Sequence, residues 1–196
     1  MEQIKIAYVD AADFDTLKEL PFIKAEDVSV AEQYVNKSDK ALRLVSAYLK
    51  RKYVGEWSAS ESGKPISPDK YFNVSHCKGA VAIAVSDREV GIDIENIRSV
   101  EKKLKEYVAN TAEIDVISTD EDFFRVWTAK ESLVKAAGSG LDRKPKEIPA
   151  LPLEGVKIYG EKVYFSRQTL ISGMVLSVTL AGGEPFEPKI TIENLL

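Results

Sequence analysis

The chain has 196 residues, 44% of them hydrophobic and 30% charged, which suits a globular protein whose core needs no disulfide or metal staple. Its net charge of −4 and pI near 5.3 argue against a general nucleic-acid binder, which would normally present a basic face. Cys77 is the only cysteine, no apolar run reaches membrane-spanning length and the N-terminus has no secretory pattern. A cytoplasmic protein with no membrane partner is therefore expected.

In chain order, Ile4–Val9 reads as an opening strand, followed by an acidic, polar stretch that Pro21 interrupts. Ser38 or Asp39 is placed to cap a helix over about Lys40–Tyr53, where Ala41, Leu42, Val45, Tyr48 and Leu49 follow the helical period and Gly55 ends it. Residues 56–70 are rich in Ser, Gly and Pro and predict a loop. Strands are predicted at Phe72–Val74, Ala80–Val85 and Val90–Glu95, the last two joined by a turn at 86–89. A charged helix follows over Val100–Ala109. The strongest helical pattern runs from Asp120 to Ala137, with acids at its start and Gly138 and Gly140 at its end. Short strands at Val156–Tyr159, Lys162–Ser166, Met174–Leu180 and Lys189–Ile192 complete an α+β pattern. A long helix followed by strands occurs in both halves.

Within Val90–Glu95, apolar Val90, Ile92 and Ile94 alternate with Gly91, Asp93 and Glu95, which puts both carboxylates on the face away from the core. Taken alone they are two exposed acids at a strand end; taken as chemistry they are a pair suited to magnesium. Glu131 and Lys135 lie one turn apart on the long helix. As a surface ion pair they would contribute roughly 0.2–0.5 kcal/mol. As chemistry they supply a third metal-ligating carboxylate that doubles as a base, and a cation for a phosphate leaving group. His76 is the only histidine and follows Ser75 near Gly79, so that hydroxyl, imidazole and backbone N–H groups could meet a phosphate. One histidine and one cysteine, side by side, cannot build a typical zinc site. Gly63-Lys64-Pro65 is a turn whose lysine could reach a phosphate as a point charge, and Trp127 reads at least as well as core packing as it does as a ligand contact.

The ordered set Gly63-Lys64-Pro65, Phe72-Asn73-Val74-Ser75-His76, Gly91-Ile92-Asp93-Ile94-Glu95 and Trp127-Thr128-Ala129-Lys130-Glu131-Ser132, with Lys135-Ala136 and Gly138-Ser139-Gly140-Leu141, closely resembles the 4′-phosphopantetheinyl transferases of the surfactin-synthetase type. The resemblance spans residues 63–141. It implies two pseudo-symmetric α+β halves, drawn here as residues 1–97 and 98–196, with coenzyme A in the cleft between them. It implies magnesium-dependent transfer of phosphopantetheine from coenzyme A to a serine of an apo acyl or peptidyl carrier protein, releasing adenosine 3′,5′-bisphosphate. Asp93, Glu95 and Glu131 would hold magnesium, with Glu131 also taking the serine proton and Lys135 assisting the departing phosphate. Gly63, Lys64, Pro65, Ser75, His76, Lys130 and Lys135 would bind coenzyme A.

One departure stands out. Such enzymes often carry basic residues in the first helical segment that reach the 3′-phosphate of coenzyme A, whereas residues 27–35 contain no Lys or Arg. Lys37, Lys40 or Arg43 could substitute, and Arg43 is our choice. The lysines at 102, 103 and 105 are either a solvated helix face or a docking patch for an acidic carrier. One chain supplies both walls of the cleft, so a monomer is the simpler expectation. The competing readings are an inactive protein that binds coenzyme A or carrier, and a structural domain whose acids are only solvated surface.

Overall fold

The structure is a computed structural model and describes residues 2–9, 13–60, 65–140 and 144–195. The elements are β1 (Gln3–Tyr8), α1 (Phe14–Leu17), α2 (Ala25–Glu32), α3 (Lys37–Tyr53), β2 (Ser58–Ala59), β3 (Pro65–Ile66), β4 (Tyr71–Cys77), β5 (Ala80–Ser86) and β6 (Val90–Asn96). After these come α4 (Lys102–Val108), α5 (Thr111–Ile114), α6 (Asp120–Ala137), a 3-10 turn (Pro145–Glu147), β7 (Gly155–Tyr159), β8 (Lys162–Ile171), β9 (Met174–Ala181) and β10 (Lys189–Glu193). Among the described residues no helix is long and apolar enough to cross a membrane.

The α+β expectation holds, and the topology shows a repeat. One four-stranded sheet has the order β10-β1-β5-β4 and the other β6-β9-β8-β7. The run β1–α3–β4–β5, with β1 pairing β5 and β5 pairing β4, matches the run β6–α6–β8–β9, with β6 pairing β9 and β9 pairing β8. The second unit thus begins at β6. A division at residue 97 does not coincide with the sheets: it cuts β6 from its partner β9, and β10 crosses back to pair in parallel with β1. Glu193 secures that return by accepting hydrogen bonds from Tyr48, Lys52 and Tyr53 of α3.

The two sheets share one core. Ile4, Ile6, Ala80, Ala82 and Ala84 pack with Val90, Ile92, Ile94, Leu176, Val178 and Leu180, all essentially inaccessible to solvent. The alanines of β5 leave room for the branched side chains of the facing sheet. On the outside of the first sheet α3 packs Leu42, Val45 and Leu49 over Val81 and Ile83. It starts at Lys37 behind Asn36, three residues before the predicted start, so Ser38 and Asp39 lie in its first turn; the Asn36 side-chain amide donates to Asp39. Helix α6 covers the outside of the second sheet with the predicted bounds. The Thr119 side chain caps its N-terminus, accepting from the Asp122 N–H, and Gly138 ends it in the left-handed region at φ 69°. Within the predicted loop of residues 56–70, β2 and β3 form a two-residue ribbon.

Candidate active site

The site is built where α6 lies on β6, and Gly91 makes that approach possible. A Cβ at Gly91 would stand 1.9 Å from the Ser132 carbonyl oxygen and 2.4 Å from the Ala136 nitrogen, so the helix backbone rests directly on the strand. Small hydroxyl residues continue the contact: Thr128 bonds Ser177 at 2.7 Å and Ser132 bonds Thr179 at 2.9 Å. The face of β6 that carries Gly91 and Asp93 is therefore covered by the helix. The plain reading of two exposed acids at a strand end therefore fails for Asp93, which is only 5% exposed, while Glu95 stays partly exposed.

That packing brings Asp93 to Lys135, whose ammonium lies 2.7 Å from Asp93 Oδ1. Asp93 Oδ2 is buried and has no hydrogen-bond partner among the described residues. Burial and, next, the charge of Asp93 push the Glu131 carboxyl above its ordinary range, Lys135 opposes them, and Glu95 adds to the upward shift. Glu95 is half-buried and pairs with Arg98 at 3.1 Å; the Arg98 guanidinium also lies over the Phe124 ring. Among the described residues no three His, Cys, Asp or Glu side chains already close on one point as a cation cage. The donor chemistry nevertheless suits a hard cation: a buried orphan carboxylate oxygen, and a second carboxyl whose charge is disfavoured by burial and then by its acidic neighbours.

Strand β4 supplies the other wall. Ile92 and Ile94 turn their N–H groups away from β9, and β4 meets them with side chains. Asn73 Oδ1 accepts from Ile92 at 3.0 Å and Ser75 Oγ accepts from Ile94 at 3.4 Å. Ser75 Oγ also lies 2.8 Å from Asp93 Oδ1 and 3.1 Å from Lys135 Nζ. His76, next in the same strand, points the other way, as strand geometry requires. Its ring lines a cavity of about 100 Å³ with Tyr34, Asp39, Leu42, Arg43 and Ser46. The residue as a whole is exposed, but desolvation by the cavity walls and then the Lys135 charge lower the imidazole pKa. Ser75 and His76 therefore do not converge on one point, contrary to the expectation from their adjacency.

Arg43 is exposed and also borders a larger cavity, of about 340 Å³, with Asp27, Lys50, Arg51 and Trp57. Arg51 bonds Asp27 at 2.6 Å, while the Lys50 ammonium and the Arg51 guanidinium both stand over the Trp57 ring. Sequence reasoning did not single out Asn73, Arg98, Lys50 or Trp57. The spacing Asn73-x-Ser75 opposite Ile92-x-Ile94 is the signal that could have found the first. Pro65 lies in a third cavity, with Tyr71, Glu89, Val90 and the end of α6 at Gly138. Gly63, Lys64 and Leu141 lie outside the described residues.

Lys130 has a structural role in the fold. It is 1% exposed and its ammonium pairs with Glu113 at 2.6 Å while donating to the carbonyls of Pro145 and Ile148. These three contacts engage the ammonium fully and anchor the segment after α6. Trp127 packs with Val108, Phe123, Phe124 and Val175, the core role. Burial pushes the Cys77 thiol up to about 12, which leaves it unreactive near neutral pH. The lysine trio is divided: Lys105 pairs with Asp120 at 2.7 Å, whereas Lys102, which pairs with Glu106 at 3.6 Å, and Lys103 are exposed beside exposed Leu104 and Tyr107.

Residues 89–171 match the model of the 4′-phosphopantetheinyl transferase superfamily. Among curated relatives, the chain is 33% identical over 129 residues to 4′-phosphopantetheinyl transferase gsp of Aneurinibacillus migulanus, covering 56% of this chain and 53% of that protein. It is 27% identical over 158 residues to 4′-phosphopantetheinyl transferase Sfp of Bacillus subtilis strain 168, covering 71% of this chain and 67% of that protein. It is 38% identical over 92 residues to 4′-phosphopantetheinyl transferase AcpT of Escherichia coli K12, covering 40% and 46% respectively. The matches to gsp and AcpT thus span about half of those proteins. The region common to family model and site runs from β6 through α6, and it is on that region that the chain resembles the 4′-phosphopantetheinyl transferase superfamily.

Proposed function

We propose that the chain transfers the 4′-phosphopantetheine group of coenzyme A to a serine of an apo acyl or peptidyl carrier protein, releasing adenosine 3′,5′-bisphosphate. The observation that carries this reading is the meeting of Asp93, Glu131 and Lys135 at the joint of β6 and α6, inside the segment that matches the superfamily. The proposed reaction forms a bond between the serine oxygen and the β-phosphorus of coenzyme A and breaks that phosphorus's bond to the bridging pyrophosphate oxygen. A serine hydroxyl is a weak nucleophile at neutral pH and needs a base. Glu131, whose carboxyl is held above its ordinary range, is suited to take that proton. Lys135 is placed to offset the charge that gathers on the departing phosphate.

Asp93, Glu95 and Glu131 would hold magnesium. When bound, the ion withdraws charge from the pyrophosphate and turns an acidic site into one that accepts a polyanion. In this reading His76 and Arg43 border the coenzyme A cleft, Arg43 meets its 3′-phosphate, and the acidic carrier docks near Lys102 and Lys103. The test is to incubate the protein with coenzyme A, magnesium and an apo acyl carrier protein, then weigh the carrier. A gain of one phosphopantetheinyl group, lost with EDTA and with Glu131→Ala, is expected. No gain on acyl or peptidyl carriers overturns the reading.

A further inference from the structure

Ser75 belongs to a motif that suggested a phosphate contact, yet its surroundings are those of a different part. A serine hydroxyl has one proton and two lone pairs. Here the proton goes to Asp93 Oδ1 at 2.8 Å, and the lone pairs face the Lys135 ammonium at 3.1 Å and the Ile94 N–H at 3.4 Å. Phosphate oxygens at neutral pH are acceptors, so a hydroxyl that binds them must donate, and Ser75 has already donated. The side chain is 6% exposed. It sits at the seam where β4 meets the free edge of β6, and it turns away from the cavity that His76 lines.

We propose that Ser75 is a positioning residue that acts through Asp93: by donating to Oδ1 it fixes the carboxylate so that Oδ2 is presented to the divalent cation. Two observations carry this independently of the motif. Oδ1 is satisfied by Ser75 and Lys135, whereas Oδ2 on the same carboxylate is buried with no partner among the described residues. The hydroxyl also ties the β6 backbone at Ile94, the residue after Asp93, so carboxylate and strand are held by one group. Partners that orient metal-binding carboxylates commonly contribute tenfold or more in metal affinity. The inference rests on the transferase reading, since the cation and coenzyme A belong to that reading.

The experiment separates cation affinity from coenzyme A affinity without turnover. Mn2+ is titrated into the protein saturated with coenzyme A, with no carrier present, and free Mn2+ is read by electron paramagnetic resonance. Coenzyme A affinity is measured separately by calorimetry in EDTA. For Ser75→Ala the expected result is Mn2+ binding weaker by about tenfold or more, with coenzyme A affinity in EDTA unchanged. Ser75→Thr, which keeps the hydroxyl, is expected to restore most of the Mn2+ affinity. If a thermal melt shows that Ser75→Ala does not fold, Ser75→Cys replaces it with the same two expectations. Loss of coenzyme A affinity with Mn2+ binding intact, or no change in either, overturns the proposal. A wild-type chain that binds no coenzyme A overturns the transferase reading instead.

Discussion

The ammonium of Lys135 on α6 lies 2.7 Å from the Oδ1 of Asp93 on β6, across a sequence separation of 42 residues. The contact exists because a glycine lets helix and strand backbones touch. In the transferase reading this lysine acts on the departing phosphate, so Lys135→Met removes a charge that matters most when the leaving group gathers its own. A fall in kcat of about 10²–10³, with little change in the Michaelis constant for coenzyme A, is expected. Steady-state rates on an apo carrier check this. A loss confined to the Michaelis constant would assign Lys135 to ground-state binding instead.

Gly91→Ala tests the approach itself. The added Cβ meets backbone atoms, the Ser132 oxygen at 1.9 Å and the Ala136 nitrogen at 2.4 Å, and backbone cannot rotate away as a side chain can. Helix or strand must shift. Overpacking of this kind costs about 1–3 kcal/mol and sometimes more. Chemical denaturation should show a lower midpoint. Activity should fall further than stability alone accounts for, because the shift parts Asp93 from Lys135. A variant with wild-type midpoint and rate would show that the two elements are not held this closely.

The buried pair of Lys130 and Glu113, each 1% exposed, gives a prediction of opposite kind. Removing one partner strands a charge in a dry site, which typically costs 3–5 kcal/mol. Glu113→Ala should be that damaging, all the more because Glu113 also accepts from the Ala150 N–H at 2.9 Å. Replacing both members with apolar residues should cost much less. Coenzyme A affinity of the folded double variant should equal wild type, because the Lys130 ammonium is committed to Glu113 and two backbone carbonyls. A selective loss of that affinity would return Lys130 to the ligand set.

The local signals in the chain were legible and the distant ones were not. Helix α6 announces itself through Thr119, its acidic first turn and Gly138, all within twenty residues. The alternation that marks β6 was legible too, but it could not show that a helix covers the acidic face, because the decisive contact is Gly91 with Ser132, 41 residues away. The order of Ser75 and His76 in one motif suggested convergence, whereas a strand sends neighbours to opposite faces. Lys130 sits in the motif between Ala129 and Glu131, and only its distant partner Glu113 explains its inward turn. The return of β10 to β1 is likewise a pairing across nearly the whole chain, held by Glu193 against α3.

Lys50 supplies the pH dependence. Burial, and next the charge of Arg43, lowers its pKa from 10.5 to about 8. The side chain is 7% exposed, with its ammonium 4.6 Å from the centre of the Trp57 ring. The folded state therefore disfavours the charged amine relative to the unfolded chain. Below pH 8 both states carry the proton and the native state bears the whole penalty. As the pH rises from about 8 to 10.5 the folded protein sheds the proton first, and this contribution to stability grows; above 10.5 both states are neutral and the penalty is gone. Lys50→Met should thus be more stable than wild type at pH 7, by about 1–3 kcal/mol, with the gap closing toward pH 10.5. Urea unfolding at a series of pH values reads this directly. A wild type more stable than Lys50→Met at pH 7 would mean that the stacking on Trp57 outweighs the cost of burying the charge.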